Sequence, residues 1–148
     1  MKKIFKFFYK KGLYIAFFQA WLATFGSLYF SEVQGLTPCL LCWYQRILMY
    51  PLAIIYAVAI ARKEKSAAYY ALPMSAIGTF IALYHYLIQW TSLKNISPIS
   101  CSAAAECSEK QVVYLGFITI PFLSLMAFLL LTFINIILIK YISNDKRK

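Results

Sequence analysis

Charge is scarce in this chain. Asp, Glu, Lys and Arg make up 14% of its 148 residues, and only five of them are acidic. Hydrophobic residues reach 62%, aromatic residues 18%, and the mean hydropathy is +0.67. So little charge on so apolar a chain excludes an ordinary soluble domain and points to the membrane. No internal repeat and no low-complexity segment is present, and the length allows one domain at most. Cysteine is also rare, with four in all. None of the four falls in the middle of a long apolar run, which argues against their use as small core residues.

Four apolar stretches are present, running over residues 13–30, 43–61, 70–90 and 115–139. At about 1.5 Å rise per residue, even the shortest covers roughly the 30 Å hydrocarbon core of a bilayer. The expected fold is therefore an all-α integral membrane protein, a four-transmembrane-helix bundle within a single domain, 1–148. The net charge of +10 invites a nucleic-acid reading, but its distribution argues against nucleic acid as a partner. Twelve of the fifteen basic residues lie before the first stretch, between the second and third, or after the fourth. Two more, Lys94 and Lys110, lie in the other connections, and Arg46 lies near a helix start. By the positive-inside rule both termini are cytoplasmic, and the loops 31–42 and 91–113 face outward. The first stretch has a basic start but no A-x-A site, so it reads as a retained span and not a cleaved signal.

All four cysteines then lie on the outer side, where disulfides persist. Cys39 and Cys42 form a Cys-x-x-Cys pair leading into Trp43-Tyr44-Gln45-Arg46. Thr37-Pro38 predicts a helix start, with Thr37 as N-cap and Pro38 as first helical residue, placing both cysteines in the opening turns. Residues three and four apart share a helix face, so Cys39, Cys42 and Arg46 form one stripe. A helix N-terminus lowers a thiol pKa, and Arg46 adds positive charge. One cysteine is expected to be a thiolate near neutral pH, which favours a redox-active pair over a static disulfide. Cys101 and Cys107 lie in the longest connection, among small and polar residues. An exposed disulfide there would be of the labile, exchangeable kind, whereas a buried one would be a staple.

Arg46 inside a span signals function, because an intramembrane charge is costly. His85, with Gln89 four residues on, lies a little over one turn inside Trp90. It reads either as a quinone-site or proton-transfer group or as a histidine bonded to a neighbouring helix. Two cysteine pairs also suggest a tetrahedral zinc set, but Cys-x5-Cys departs from the usual short spacing, and no metal site is expected. Pro51 is expected to kink the second helix, Pro73 to lie in the first turn of the third, and Pro121 in the outer third of the fourth.

The string Cys39-Leu-Leu-Cys42-Trp-Tyr-Gln-Arg46, opening a second span, resembles the DsbB family of disulfide-bond-forming membrane proteins. The compact loop pair is most similar to its shorter, BdbC-like members. The His85-to-Gln89 spacing and, more weakly, Pro121 agree with the family pattern. The resemblance implies a thiol:quinone oxidoreductase in the bacterial plasma (inner) membrane. Such a protein reoxidises a DsbA- or BdbD-like thioredoxin-fold thiol oxidase and passes its electrons to ubiquinone or menaquinone in the bilayer. DsbA-type oxidases sit at about −120 mV, so recharging them requires a sink of higher potential.

Carried over by position, Cys42 would face the quinone with Arg46 assisting, and His85 and Gln89 would belong to the cofactor site. Cys39 would exchange with the loop pair, Cys101 would be attacked by the reduced partner, and Cys107 would resolve. The close spacing of Cys101 and Cys107 departs from the longer members of the family. Alternatives are a quinone reductase resembling vitamin K epoxide reductases, in which the Cys-x-x-Cys follows a later span, and a non-enzymatic thiol chaperone or metal-binding protein.

Overall fold

The computed structural model of the chain describes residues 2–90, 113–114 and 118–145. Among these, four helices are long and apolar enough to cross a membrane. Helix α1 spans Lys2–Leu28 and runs on through a π-helical turn, Tyr29–Val33. Helix α2 spans Leu40–Ala61, α3 spans Ala68–Trp90, and α4 spans Ile120–Asp145. A two-residue antiparallel ribbon, β1 (Val113–Tyr114) with β2 (Ile118–Thr119), leads directly into α4.

The helix ends differ from the sequence expectation in four places, each for a local reason. The π-turn carries α1 beyond residue 30, and Gly35 then reverses the chain at φ 66°, a conformation that suits glycine. Helix α2 starts at Leu40, and its N-cap is Cys39, not Thr37. Cys39 keeps an extended backbone (φ −71°, ψ 170°), which takes Pro38 out of the helix. A 3-10 turn at Lys65–Ala67 brings the start of α3 back to Ala68, so Pro73 sits in its second turn. The ribbon holds Val113–Tyr114 and Ile118–Thr119 extended and delays α4 to Ile120, which moves Pro121 into the first turn, where a missing N–H costs little. Helices α2 and α3 continue through Pro51 and Pro73, as membrane helices can when neighbours satisfy the freed groups.

Helix α1 packs on α2 and α4, α3 packs on α4, and α2 packs on α3. Ala16 and Ala20 on α1 and Ala53, Ala71 and Ala82 on α2 and α3 are buried, so small residues let the backbones approach, as membrane packing requires. Gly78 shows the same rule at its limit: the Phe128 ring of α4 occupies the space that a Cβ would take. In the half of the bundle away from the cysteines, Tyr56, Asn135 and Ser75 are fully buried. Asn135 Nδ2 donates to Tyr56 Oη at 2.9 Å and to Ser75 Oγ at 3.3 Å, joining α2, α3 and α4.

Candidate functional site

The N-cap position explains the geometry of the cysteine pair. An N-cap side chain turns back over the first helical turn toward the third helical residue. Here that residue is Cys42, and the two sulfurs lie 3.0 Å apart. Neither cysteine is in a disulfide in this structure. The two sulfurs have different surroundings. Cys39 is buried, packed with Leu41 and Ile88, and its Sγ lies 3.6 Å from His85 Nε2. Cys42 is half-buried and lines a cavity. The Cys39 thiol, just outside the α2 span, is held well below the ordinary cysteine range. The hydrogen bond it shares with Cys42 is the main cause, His85 adds to it, and burial opposes both.

The cavity has a volume of about 280 Å³ and lies among α1, α2 and α4, with Leu36 and Pro38 of the connecting segment. Its lining is mostly apolar, the usual composition of a small-molecule site. From α2 it receives Cys42, Gln45, Arg46 and Tyr50; from α4, Ser124 and Phe128; from α1, Gln19 and Ser27. Leu22 and Leu123, also in the lining, are about half exposed, so the mouth of the cavity opens on the apolar flank of the bundle.

Arg46 is anchored in two ways. Its Nη2 donates to Ser27 O of α1 at 2.9 Å, and its guanidinium stands 5.6 Å from the Trp43 ring centre, within cation–π range. The buried Arg46 Nε–H has no hydrogen-bond partner among the described residues, and neither has Tyr50 Oη, one turn further along α2. Buried donors without partners carry a free-energy cost that a ligand oxygen would remove. The two residues that carry these donors stand one turn apart on α2, and both line the cavity.

Of the residues that the sequence associates with a cofactor, Arg46 therefore lines the cavity. His85 lies behind Cys39, between that sulfur and Gln45, whose Nε2 is 3.2 Å from His85 Nδ1. Gln89 is half-buried on α3, which contributes no residue to the cavity wall. Cys101 and Cys107 lie outside the described residues. Three residues that the sequence reading passed over belong to the site: Gln45, Ser124 and Tyr50. Gln45 and Ser124 are joined by a 2.6 Å hydrogen bond from Ser124 Oγ to Gln45 Oε1. Their signal was a polar group inside an apolar span, which by default asks for a reason.

Cys39, Cys42 and His85 bring two sulfurs and a ring nitrogen within 4.8 Å of one another, a possible soft-metal set. Ligation through His85 Nε2 needs a lone pair there. Gln45 Nε2 lies 3.2 Å from His85 Nδ1, and which ring nitrogen carries the hydrogen depends on the tautomer.

Comparison with known proteins converges on one family. The family profile described as "Disulfide bond formation protein DsbB" matches residues 9–138. The chain is 47% identical over 120 residues to disulfide bond formation protein C of Bacillus subtilis, covering 80% of this chain and 86% of that one. It is 44% identical over 128 residues to a protein of Oceanobacillus iheyensis described as a probable disulfide formation protein, covering 86% of this chain and 88% of the other. No solved structure matches.

Proposed function

This chain belongs to the DsbB family, a multi-pass membrane thiol–disulfide oxidoreductase of disulfide bond formation, and we propose that its electron acceptor is a membrane quinone bound in the cavity beside Cys42. One observation carries the proposal. Cys42 lines an apolar cavity together with Arg46 and Tyr50, two residues that carry a buried donor, Arg46 Nε–H and Tyr50 O–H, with no partner among the described residues.

The electron donor is a thioredoxin-fold thiol oxidase of the DsbA or BdbD kind. Overall, the partner's dithiol becomes a disulfide and the quinone becomes a quinol, so two electrons and two protons pass from one to the other. A bound quinone, ubiquinone or menaquinone, supplies the two-electron acceptor. Arg46 and Tyr50 are the residues that would hold its carbonyl oxygens. The Cys42 sulfur stands at the cavity wall, while Cys39 closes the S–S bond from the buried side. Cys101 and Cys107 exchange with the partner, and the basic segments keep both cysteine pairs on the extracytoplasmic face of the bacterial plasma membrane.

The test is quinone reduction by the purified protein in lipid, driven by a reduced thioredoxin-fold oxidase. Catalytic loss of quinone absorbance is expected, and a Cys42→Ser variant should show none. Absence of turnover with both ubiquinone and menaquinone analogues, while the protein's own disulfides remain intact, would overturn the quinone assignment.

A further inference from the structure

Gly12, Gly26 and Gly78 lie inside the described helices, and each would meet something different if it carried a side chain. At Gly78 a Cβ would fall on the Phe128 ring of α4, and at Gly12 it would press on Ile134 Cγ2 at 3.3 Å. Both glycines let two helices close on one another, a common use of glycine in membrane helices. Gly26 is the exception. Beyond its own helix backbone and chain neighbours, a Cβ built there meets no described atom within 4 Å, and Gly26 lines the cavity. Glycine inside a helix is less stable than alanine, because it loses more backbone freedom on folding. At Gly26 neither close packing nor a positive φ offsets that loss. What the residue provides is room.

The room has a definite place. The α1 wall of the cavity runs through Gln19, Ala23, Gly26 and Ser27, whose spacings of three and four put them on one helix face. Ser27, the next residue, accepts the Arg46 Nη2–H on its carbonyl oxygen at 2.9 Å. The bare backbone of Gly26 therefore lies at the Arg46 end of the cavity.

We propose that Gly26 is a specificity-determining residue, which by leaving the α1 wall bare sets how wide a ring system the cavity admits. The inference rests on the reading of this cavity as a quinone site, but it concerns only the size of the head that fits. A methyl group at position 26 narrows the cavity, and valine narrows it further. Valine has essentially one rotamer in a helix, so it cannot swing aside. A fused two-ring head is then rejected before a single ring. In an apolar pocket, one methylene more or less is worth about tenfold to two-hundredfold in discrimination. Because alanine at 26 replaces a helix glycine without striking a neighbour, narrower selectivity and higher stability arrive together. A glycine kept for packing, such as Gly78, behaves in the opposite way.

The test uses the full chain in lipid vesicles, without partner oxidase, and two tail-less probes, dimethylbenzoquinone and dimethylnaphthoquinone. Binding is read from the quenching of tryptophan fluorescence as each probe is added. Partition of a probe into lipid is common to all variants and cancels when each is compared with the unaltered chain. Gly26→Val should weaken binding of the two-ring probe about tenfold more than binding of the one-ring probe. Gly26→Ala should move the same ratio in the same direction by less. Its thermal unfolding midpoint should be at or above that of the unaltered chain, whereas Gly78→Ala should lower the midpoint. Equal weakening of both probes, or no weakening of either, overturns the proposal. A lower midpoint for Gly26→Ala also overturns it, because Gly26 would then be a packing residue. If neither probe binds the unaltered chain, the quinone reading falls and takes this inference with it. If both bind and the ratio stays flat in the variants, only the role of Gly26 falls.

Discussion

Tyr56, Asn135 and Ser75 are buried, as are His85, Gln45 and Cys39, and through Ser124 the second group ties together the same three helices as the first. By helical rise they are separated along α2, from Gln45 to Tyr56, by about 16 Å. The first group closes on itself: Asn135 reaches both Tyr56 and Ser75, and Ser75 Oγ donates back to Leu72 O. The second also returns to backbone, through Ser124 Oγ to Pro121 O, but there it lines a cavity, and its other end reaches a sulfur. Polar glue between membrane helices is therefore not by itself a sign of chemistry. What marks the cysteine end is that its chain of donors ends at a reactive atom and that nearby donors, Arg46 Nε–H and Tyr50 O–H, have no partner among the described residues.

The comparison breaks most sharply at Cys42. Cys42→Ser should abolish quinone reduction while leaving the thermal unfolding of the protein nearly unchanged, and a substantially less stable variant would show that the pair also holds the fold. Arg46→Ala comes next. Losing a charge-assisted hydrogen bond of roughly 1.5–3 kcal/mol should raise the quinone KM by about tenfold to a hundredfold. Saturation with partner oxidase should be little affected, and an unchanged quinone KM would remove Arg46 from the acceptor site.

The closed cluster should respond in the opposite way. Asn135→Leu should cost about 1 kcal/mol of stability, the typical worth of an interhelical membrane hydrogen bond, and lower the unfolding midpoint. Turnover per folded molecule should stay the same, and a selective loss of turnover would mean that the two clusters communicate. The smallest effect is expected of Tyr50→Phe, which removes one neutral donor. A rise in quinone KM of about threefold to tenfold, with kcat preserved, is its signature.

The four spans were legible because each is a run of apolar residues long enough for a bilayer, and such runs have few alternatives. The pairing of Cys42 with Arg46 was legible for a similar reason: spacings of three and four put residues on one face of any helix. What escaped was whatever depends on two helices at once. His85 stands out as a polar group in a span, but whether it faces a cofactor or a sulfur depends on the rotation of α3 against α2. Gln45 and Ser124 lie far apart in sequence and meet only through the register of α4, which in turn follows from the ribbon of Val113–Tyr114 with Ile118–Thr119. Cys39 as N-cap escaped for a local reason. Thr-Pro is a good helix opening, yet the extended backbone of Cys39, its side chain turned back toward Cys42 and His85, moves the start by two residues.

The half-exposed leucines at the cavity mouth, Leu22 and Leu123, carry one more implication. A ligand that enters between them comes sideways out of the lipid and need only seat its head. Any hydrocarbon tail stays dissolved where it was, so tail length adds little to the binding energy. Occupancy then follows the mole fraction of the ligand in the bilayer, not its concentration in the aqueous volume. Diluting vesicles with buffer should leave the rate unchanged, whereas diluting them with empty lipid should slow it.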